Sequence, residues 1–183
     1  AKKSFTANGI TLATDTIPQL LHIFEGQVPQ QNDLATIVPL DAKSAMSFTY
    51  EDAENFQAAL RKFRREKESA KTTGIFGSIN EIGTIDLQKG TAIFIKSIDA
   101  SMTLEALARF VSSQTSFREI EIKSFSEPEL FQKTFAPLIA SKKANYVFQL
   151  DNFFIFTANE ASAEDLIASF LNNATLKSTA YYE

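Results

Sequence analysis

The sequence predicts an α+β fold: a mostly antiparallel sheet with three to four amphipathic helices packed on it. Three observations carry this expectation. Short stretches such as Met46–Tyr50 and Phe117–Phe125 alternate apolar and polar residues with the period of two of a half-buried strand. Between such stretches, apolar residues recur every three or four positions, the stripe of a helix with one buried face. Finally, the 183 residues include 17 Phe but only 6 Gly and 5 Pro, and most of these Phe fall on the apolar faces. A chain of this length buries roughly 70% of its unfolded surface and needs no covalent staple. We therefore expect one domain over 1–183, with candidate sub-units at 34–73, 75–125 and 144–173 and an extended or disordered tail at 174–183.

Along the chain, Asn8-Gly9 is a two-residue hairpin signal, because both residues tolerate positive φ. A short helix or irregular turn is expected around Leu20–Phe24, followed by a loop. Leu34–Val38 and Ser44–Tyr50 read as strands. Asp52 then caps a helix whose stripe is Phe56, Ala59, Leu60 and Phe63. Strand-like runs follow at Ile75–Ile79, Ile82–Leu87 and Thr91–Ile98, with Lys89-Gly90 as a turn. A second helix is expected over Ser101–Ser112, with Leu104, Leu107, Ala108 and Val111 facing inward. Ser126-Glu127-Pro128-Glu129 has the pattern of a capped helix start. That helix carries Leu130, Phe131, Phe135, Leu138 and Ile139, and Pro137 kinks or ends it. Tyr146–Leu150 and Phe153–Ala158 flank Asp151-Asn152 as a tight hairpin. Ser162 is expected to cap a last helix bearing Leu166, Ile167, Phe170 and Leu171.

A spacing pattern suggests repeated β-β-α units. Phe48 precedes Phe63 by 15 residues, Phe94 precedes Phe110 by 16, and Phe154 precedes Phe170 by 16. Leu60, Leu107 and Ile167 each stand one helical turn before the final Phe. A duplication of this kind lays helices across an antiparallel sheet.

Composition narrows the chemistry. With no Cys and a single His, disulfide scaffolds, Cys-rich zinc modules and His-rich metal sites are not expected. A net charge of −4 argues against general nucleic-acid binding. No apolar run approaches the length of a membrane-spanning helix, and no phosphate-loop, dinucleotide, nucleophile-elbow or zinc-protease motif occurs. His22 lacks any companion nucleophile and reads as structural. The basic run Arg61, Lys62, Arg64, Arg65, Lys67, Lys71 follows Glu51, Asp52 and Glu54, so it complements a helix dipole; Glu68 stands one turn after Arg64 and suits a local ion pair. Glu119 and Glu121 share an outward strand face. We expect no catalytic residue, resident cofactor or metal.

One strand stands apart. Phe153, Phe154, Ile155 and Phe156 are consecutive, so both faces of that strand are apolar. Either helices and loops cover both faces, or one face is an interaction surface formed by Phe153, Phe154 and Phe156.

Two passages resemble domains of uncharacterised bacterial cell-envelope proteins, secreted or lipid-anchored. They are Ile37-Val38-Pro39-Leu40-Asp41-Ala42 leading into Met46-Ser47-Phe48, and the segment 150–176, LDNFFIFTANEASAEDLIASFLNNATL. The resemblance covers under a third of the chain and brings no catalytic residues. It implies an extracytoplasmic location, in the envelope or periplasm, with membrane proximity only through an anchor outside this chain. The resulting expectation is a non-enzymatic interaction or structural module whose partner is a protein or an envelope polymer, not a nucleic acid. The alternative is a small-ligand or lipid carrier with an apolar cavity between sheet and helices.

Overall fold

The computed structural model describes residues 17–66, 74–140 and 143–179. Its elements are β1 (Ser44–Thr49), α1 (Ala53–Arg64), β2 (Ile79–Leu87), β3 (Gly90–Ser97), α2 (Ala100–Ala108), β4 (Val111–Phe117), β5 (Ile120–Phe125), α3 (Leu130–Phe135), β6 (Tyr146–Leu150), β7 (Phe153–Thr157) and α4 (Glu160–Leu171). Short 3-10 helices lie at Leu20–Phe24, Leu34–Thr36, Gly74–Ser78 and Leu176–Ser178. Among the described residues the strands form one seven-stranded sheet in the order β1-β2-β3-β7-β6-β5-β4, antiparallel at every pairing. The fold is therefore α+β, as the alternating strands and striped helices predict.

Each sheet face has its own apolar core, because alternate residues of a strand point to opposite faces. One face gathers Ile82, Ile93, Ile95, Val147, Phe154 and Phe156 beneath α1, α2, α3 and the Leu20–Phe24 turn. Its aromatic rings form a chain of contacts. Phe56 stacks on Tyr50 at 4.9 Å between ring centres and on Phe48 at 5.5 Å. Phe135 meets Phe76 edge-on at 4.8 Å, and Phe131 meets Phe156 at 4.5 Å. The second face gathers Ile85, Phe94, Phe148, Leu150, Phe153 and Ile155 beneath α4, the Leu34–Thr36 turn and the Leu176–Ser178 turn. The abundant Phe thus fills two cores, one on each side of a single sheet.

The helix starts follow local chemistry. Asp52 and Asp99 cap α1 and α2 by accepting from the backbone N–H of Asn55 and Met102. The cap of α4 is Asn159, which accepts from the Ser162 N–H at 2.9 Å, so the helix begins before the expected Ser162. Ser126 likewise does not start α3: its hydroxyl donates to the Phe110 carbonyl, and the helix begins at Leu130. Before Pro137, α3 stops at Phe135, yet Ile139 beyond it remains fully buried.

Other expectations are corrected. Leu34–Val38 and Ile75–Ile79 are not strands; 3-10 turns occupy Leu34–Thr36 and Gly74–Ser78. Both are short apolar runs whose buried side chains suit a turn as well as a strand. Val111 opens β4 rather than closing α2, which ends at Ala108. Within the tail, a 3-10 turn forms at Leu176–Ser178 and a bridge joins Thr175 to Pro39. A hairpin followed by a helix occurs as β2-β3-α2, β4-β5-α3 and β6-β7-α4, whereas the 47–63 passage supplies one strand and one helix. In the β3–β7 register Ile95 lies opposite Phe154, so Phe94 and Phe154 face opposite sides and their equal spacings are not equivalent. The Asn8-Gly9 hairpin and the Arg64–Glu68 pair lie outside the described residues.

The central hairpin contains one close approach. Gly83 lies opposite Phe94, and a Cβ there would stand 2.7 Å from the Phe94 ring and against the Met46 carbonyl oxygen. Gly83→Ala is therefore expected to lower stability by about 1–3 kcal/mol through overpacking. Urea unfolding followed by circular dichroism measures this, and a variant as stable as the parent would contradict the close approach of both the Phe94 ring and the Met46 carbonyl.

Candidate functional site

The path of the chain creates a concavity beneath α2. Strand β3 lies at the centre of the sheet and β4 at its edge, four strand spacings away, a span of about 19 Å. The connection crosses one face through α2, whose nine residues cover about 13 Å. At its start α2 is tied down tightly. Thr103 Oγ1 meets the hydroxyls of Ser78 at 2.8 Å and Ser97 at 2.7 Å, all three residues being buried. The C-terminal half then bridges over β7, β6 and β5 and leaves a half-open cleft of about 600 Å³ beneath it.

Leu104, Leu107 and Ala108 of α2 form one wall of this cleft. Phe154 of β7 and Val147 of β6 form the floor, and Val111 of β4 contributes at the edge. Leu104, expected to face inward, is 45% exposed here because no sheet residue closes against it. The charged groups are Glu119, Glu121, Lys123 and Asp151. Glu119 and Asp151 stand on the β4–β5 and β6–β7 turns with φ of 69° and 49°. The pairing of Lys123 with Val147 brings these two turns to the same end of the sheet. Lys123 Nζ pairs with Glu121 at 2.9 Å. Among the described residues, neither Glu119 nor Asp151 has a cationic partner.

Of the residues singled out in the doubly apolar strand, only Phe154 borders the cleft. Phe153, Phe154 and Phe156 are 3%, 1% and 0% exposed, because β7 lies mid-sheet with a core on each face. Helices and turns cover both sides, so the three do not form a common open surface. Glu119 and Glu121, by contrast, lie on the cleft rim. The long-range register that assembles this rim leaves no local signal in the sequence.

Of the remaining candidates, His22 and Arg64 have structural partners, and Lys67 and Lys71 lie outside the described residues. His22 Nδ1 accepts from the Gln19 backbone N–H at 2.9 Å, closing the first turn of its 3-10 helix. Arg64 donates to the carbonyls of Lys133, Thr134 and Ala136 at the end of α3 and pairs with Glu66 at 2.6 Å. It thus caps a helix that has few polar partners of its own. Among the described residues, no group of three or more His, Cys, Asp or Glu is arranged to hold a metal ion.

A charged cluster lies on the opposite face. Glu81 is fully buried and accepts from the Asp33 N–H at 2.9 Å and the Ser47 hydroxyl at 2.8 Å. Lys96 pairs with Asp33 beside it. Burial pushes the Glu81 carboxyl up, a rise the two hydrogen bonds and Lys96 only partly offset. Burial also opposes the Asp33 charge, but Lys96, Gln31 and Lys177 hold its carboxyl below the usual range. The cluster pins the loop before Leu34 onto the sheet.

Comparison with protein-family models, curated proteins and solved structures finds no match. No helix among the described residues is long and apolar enough to cross a membrane.

The Glu81 cluster gives a signed pH dependence. A carboxyl whose folded pKa is raised favours the fold while protonated, and that contribution disappears as pH rises from its ordinary value of 4.5 through the raised one. Asp33 acts in the opposite sense: its contribution is present at neutral pH and disappears as pH falls below its ordinary 3.8. In Glu81→Gln the loss of stability on raising pH from 4.5 should be smaller than in the parent. Urea midpoints measured in parallel across this range test it, and parallel curves for the two proteins would contradict it.

Proposed function

We propose that this chain is a non-enzymatic interaction module of the cell envelope, and that its working surface is the cleft beneath α2. The supporting observation is the cleft itself, whose apolar wall and floor stand next to a charged rim. Leu104 and Ala108 give the cleft an exposed apolar wall, while Leu107, Val147 and Phe154 line it as almost fully buried core residues. The envelope setting follows from the resemblance of the 37–48 and 150–176 passages. Its partner is a protein or an envelope polymer. The cleft volume also falls in the range of small-ligand pockets, which favours a carrier as the second reading. The open side of the cleft favours a docking segment over an enclosed ligand.

Site-specific photo-crosslinking separates the readings. A benzoylphenylalanine is placed at Ala108, exposed on the cleft wall, or at Glu105, exposed on α2 but outside the cleft. In cells that express the chain naturally, the 108 probe should give a discrete adduct of protein or polymer mass and the 105 probe none. An adduct of lipid or metabolite mass at 108 would favour the carrier. Equal adducts from both positions would remove the cleft as the working surface.

A further inference from the structure

Resting on that reading of the cleft, we infer that its occupant is a basic, amphipathic polypeptide segment of a partner protein. Its apolar side chain lies against Leu104, Leu107 and Phe154, and its Lys or Arg reaches Glu119 and Asp151. The asymmetry of the cleft carries the inference. One part is apolar, formed by α2, Val147 and Phe154, while the two hairpin tips at the end of the sheet each present a carboxylate. The local cations do not neutralise these tips. Lys123 is engaged by Glu121 at 2.9 Å. Arg118 turns away to the Asn172 side-chain oxygen at 3.0 Å and lies over the Phe117 ring. The rim therefore carries an excess of negative charge that favours a cation and disfavours an acidic or phosphorylated ligand.

The edge strand argues for a polypeptide. Val111, which lines the cleft, opens β4, and no strand pairs with the outer side of β4 among the described residues. Edge strands are commonly guarded by charge, proline or a β-bulge. The β4 sequence, VSSQTSF, contains neither charge nor proline, and its guard is confined to one irregularity near its start. Its single irregularity falls between Ser112 and Gln114, which leaves 114–117 as a regular run. Of β4 only Val111 lines the cleft, so an extended segment reaches backbone groups of this strand where it runs on from the cleft past the sheet edge.

Three end-blocked pentapeptides test the inference by amide chemical-shift titration of the full chain: Lys-Leu-Phe-Leu-Lys, Gln-Leu-Phe-Leu-Gln and Glu-Leu-Phe-Leu-Glu. The cationic peptide should bind about tenfold more tightly than the anionic one, with the neutral peptide between them. Shifts should concentrate in 104–111, 119–123 and 147–154. In the double variant Glu119→Gln, Asp151→Asn the preference should vanish while affinity for the neutral peptide is retained. N-methylation of the peptide backbone should weaken binding, and unchanged affinity would overturn the polypeptide assignment. A neutral peptide that binds as tightly as the cationic one would overturn the inference and leave the cleft reading standing. Failure of every peptide to shift the cleft would overturn both. Shifts of the same residues in the free chain on raising its concentration would assign the cleft to a second copy instead.

Discussion

The pairing of β3 with β7 is the constraint on which the rest of the molecule depends. Four residue pairs, Ile93–Phe156 to Lys96–Phe153, join strands about 60 residues apart in sequence. They fuse a three-stranded sheet, β1-β2-β3, to a four-stranded one, β7-β6-β5-β4. Antiparallel strands at the centre of a sheet need apolar side chains on both faces, and β7 supplies them with four consecutive apolar residues. One face then requires α1, α3 and the first 3-10 turn as a cover, and the other requires α4. Each fully buried Phe contributes roughly 1.5–3 kcal/mol, and the seam orders several of them together.

The same topology explains where the molecule is open. Once β7 occupies the position beside β3, the chain leaving β3 travels across three strands to begin β4. A nine-residue helix anchored at one end by buried hydroxyls crosses that distance without filling the space below it. The cleft is thus a by-product of strand order, and its polar rim comes from the two hairpin turns that happen to project at its end. The charged cluster around Glu81 does different work on the opposite face, fixing a long loop to the sheet through one lysine and two carboxylates.

Much of this architecture is legible in local sequence. The Asp52 cap and the Phe56–Leu60 stripe define α1, the period-two pattern defines β1 and β5, and Asp151-Asn152 defines the last hairpin. Failures occur where a short apolar run is compatible with two conformations, as at Leu34–Val38 and Ile75–Ile79. They also occur where two cap residues compete, as Asn159 and Ser162 do; the earlier side chain reaches a free backbone N–H and starts the helix first. The doubly apolar strand is recognisable from sequence as exceptional, and both of its faces are covered. The cleft is hardly legible at all. Only Phe154 stands out in the sequence, while Glu119 and Asp151 converge through pairings that no local pattern encodes. Leu104 follows the helix stripe yet remains exposed, because periodicity indicates the face of a helix and not whether a neighbour closes upon it.

The seam between β3 and β7 has a further consequence. The strands before Arg109 are contiguous in the sheet, and so are those after it; the polypeptide passes between the two groups only once, through α2. The contacts joining the groups are those expected between two proteins: a central strand pair, aromatic packing around it, Arg64 reaching across to α3, and the Pro39–Thr175 bridge at the periphery. In this sense the molecule resembles a heterodimer whose subunits are tethered in one chain. The tether, rather than either subunit, forms the wall of the cleft, so whatever occupies the cleft also touches the only covalent link between the halves.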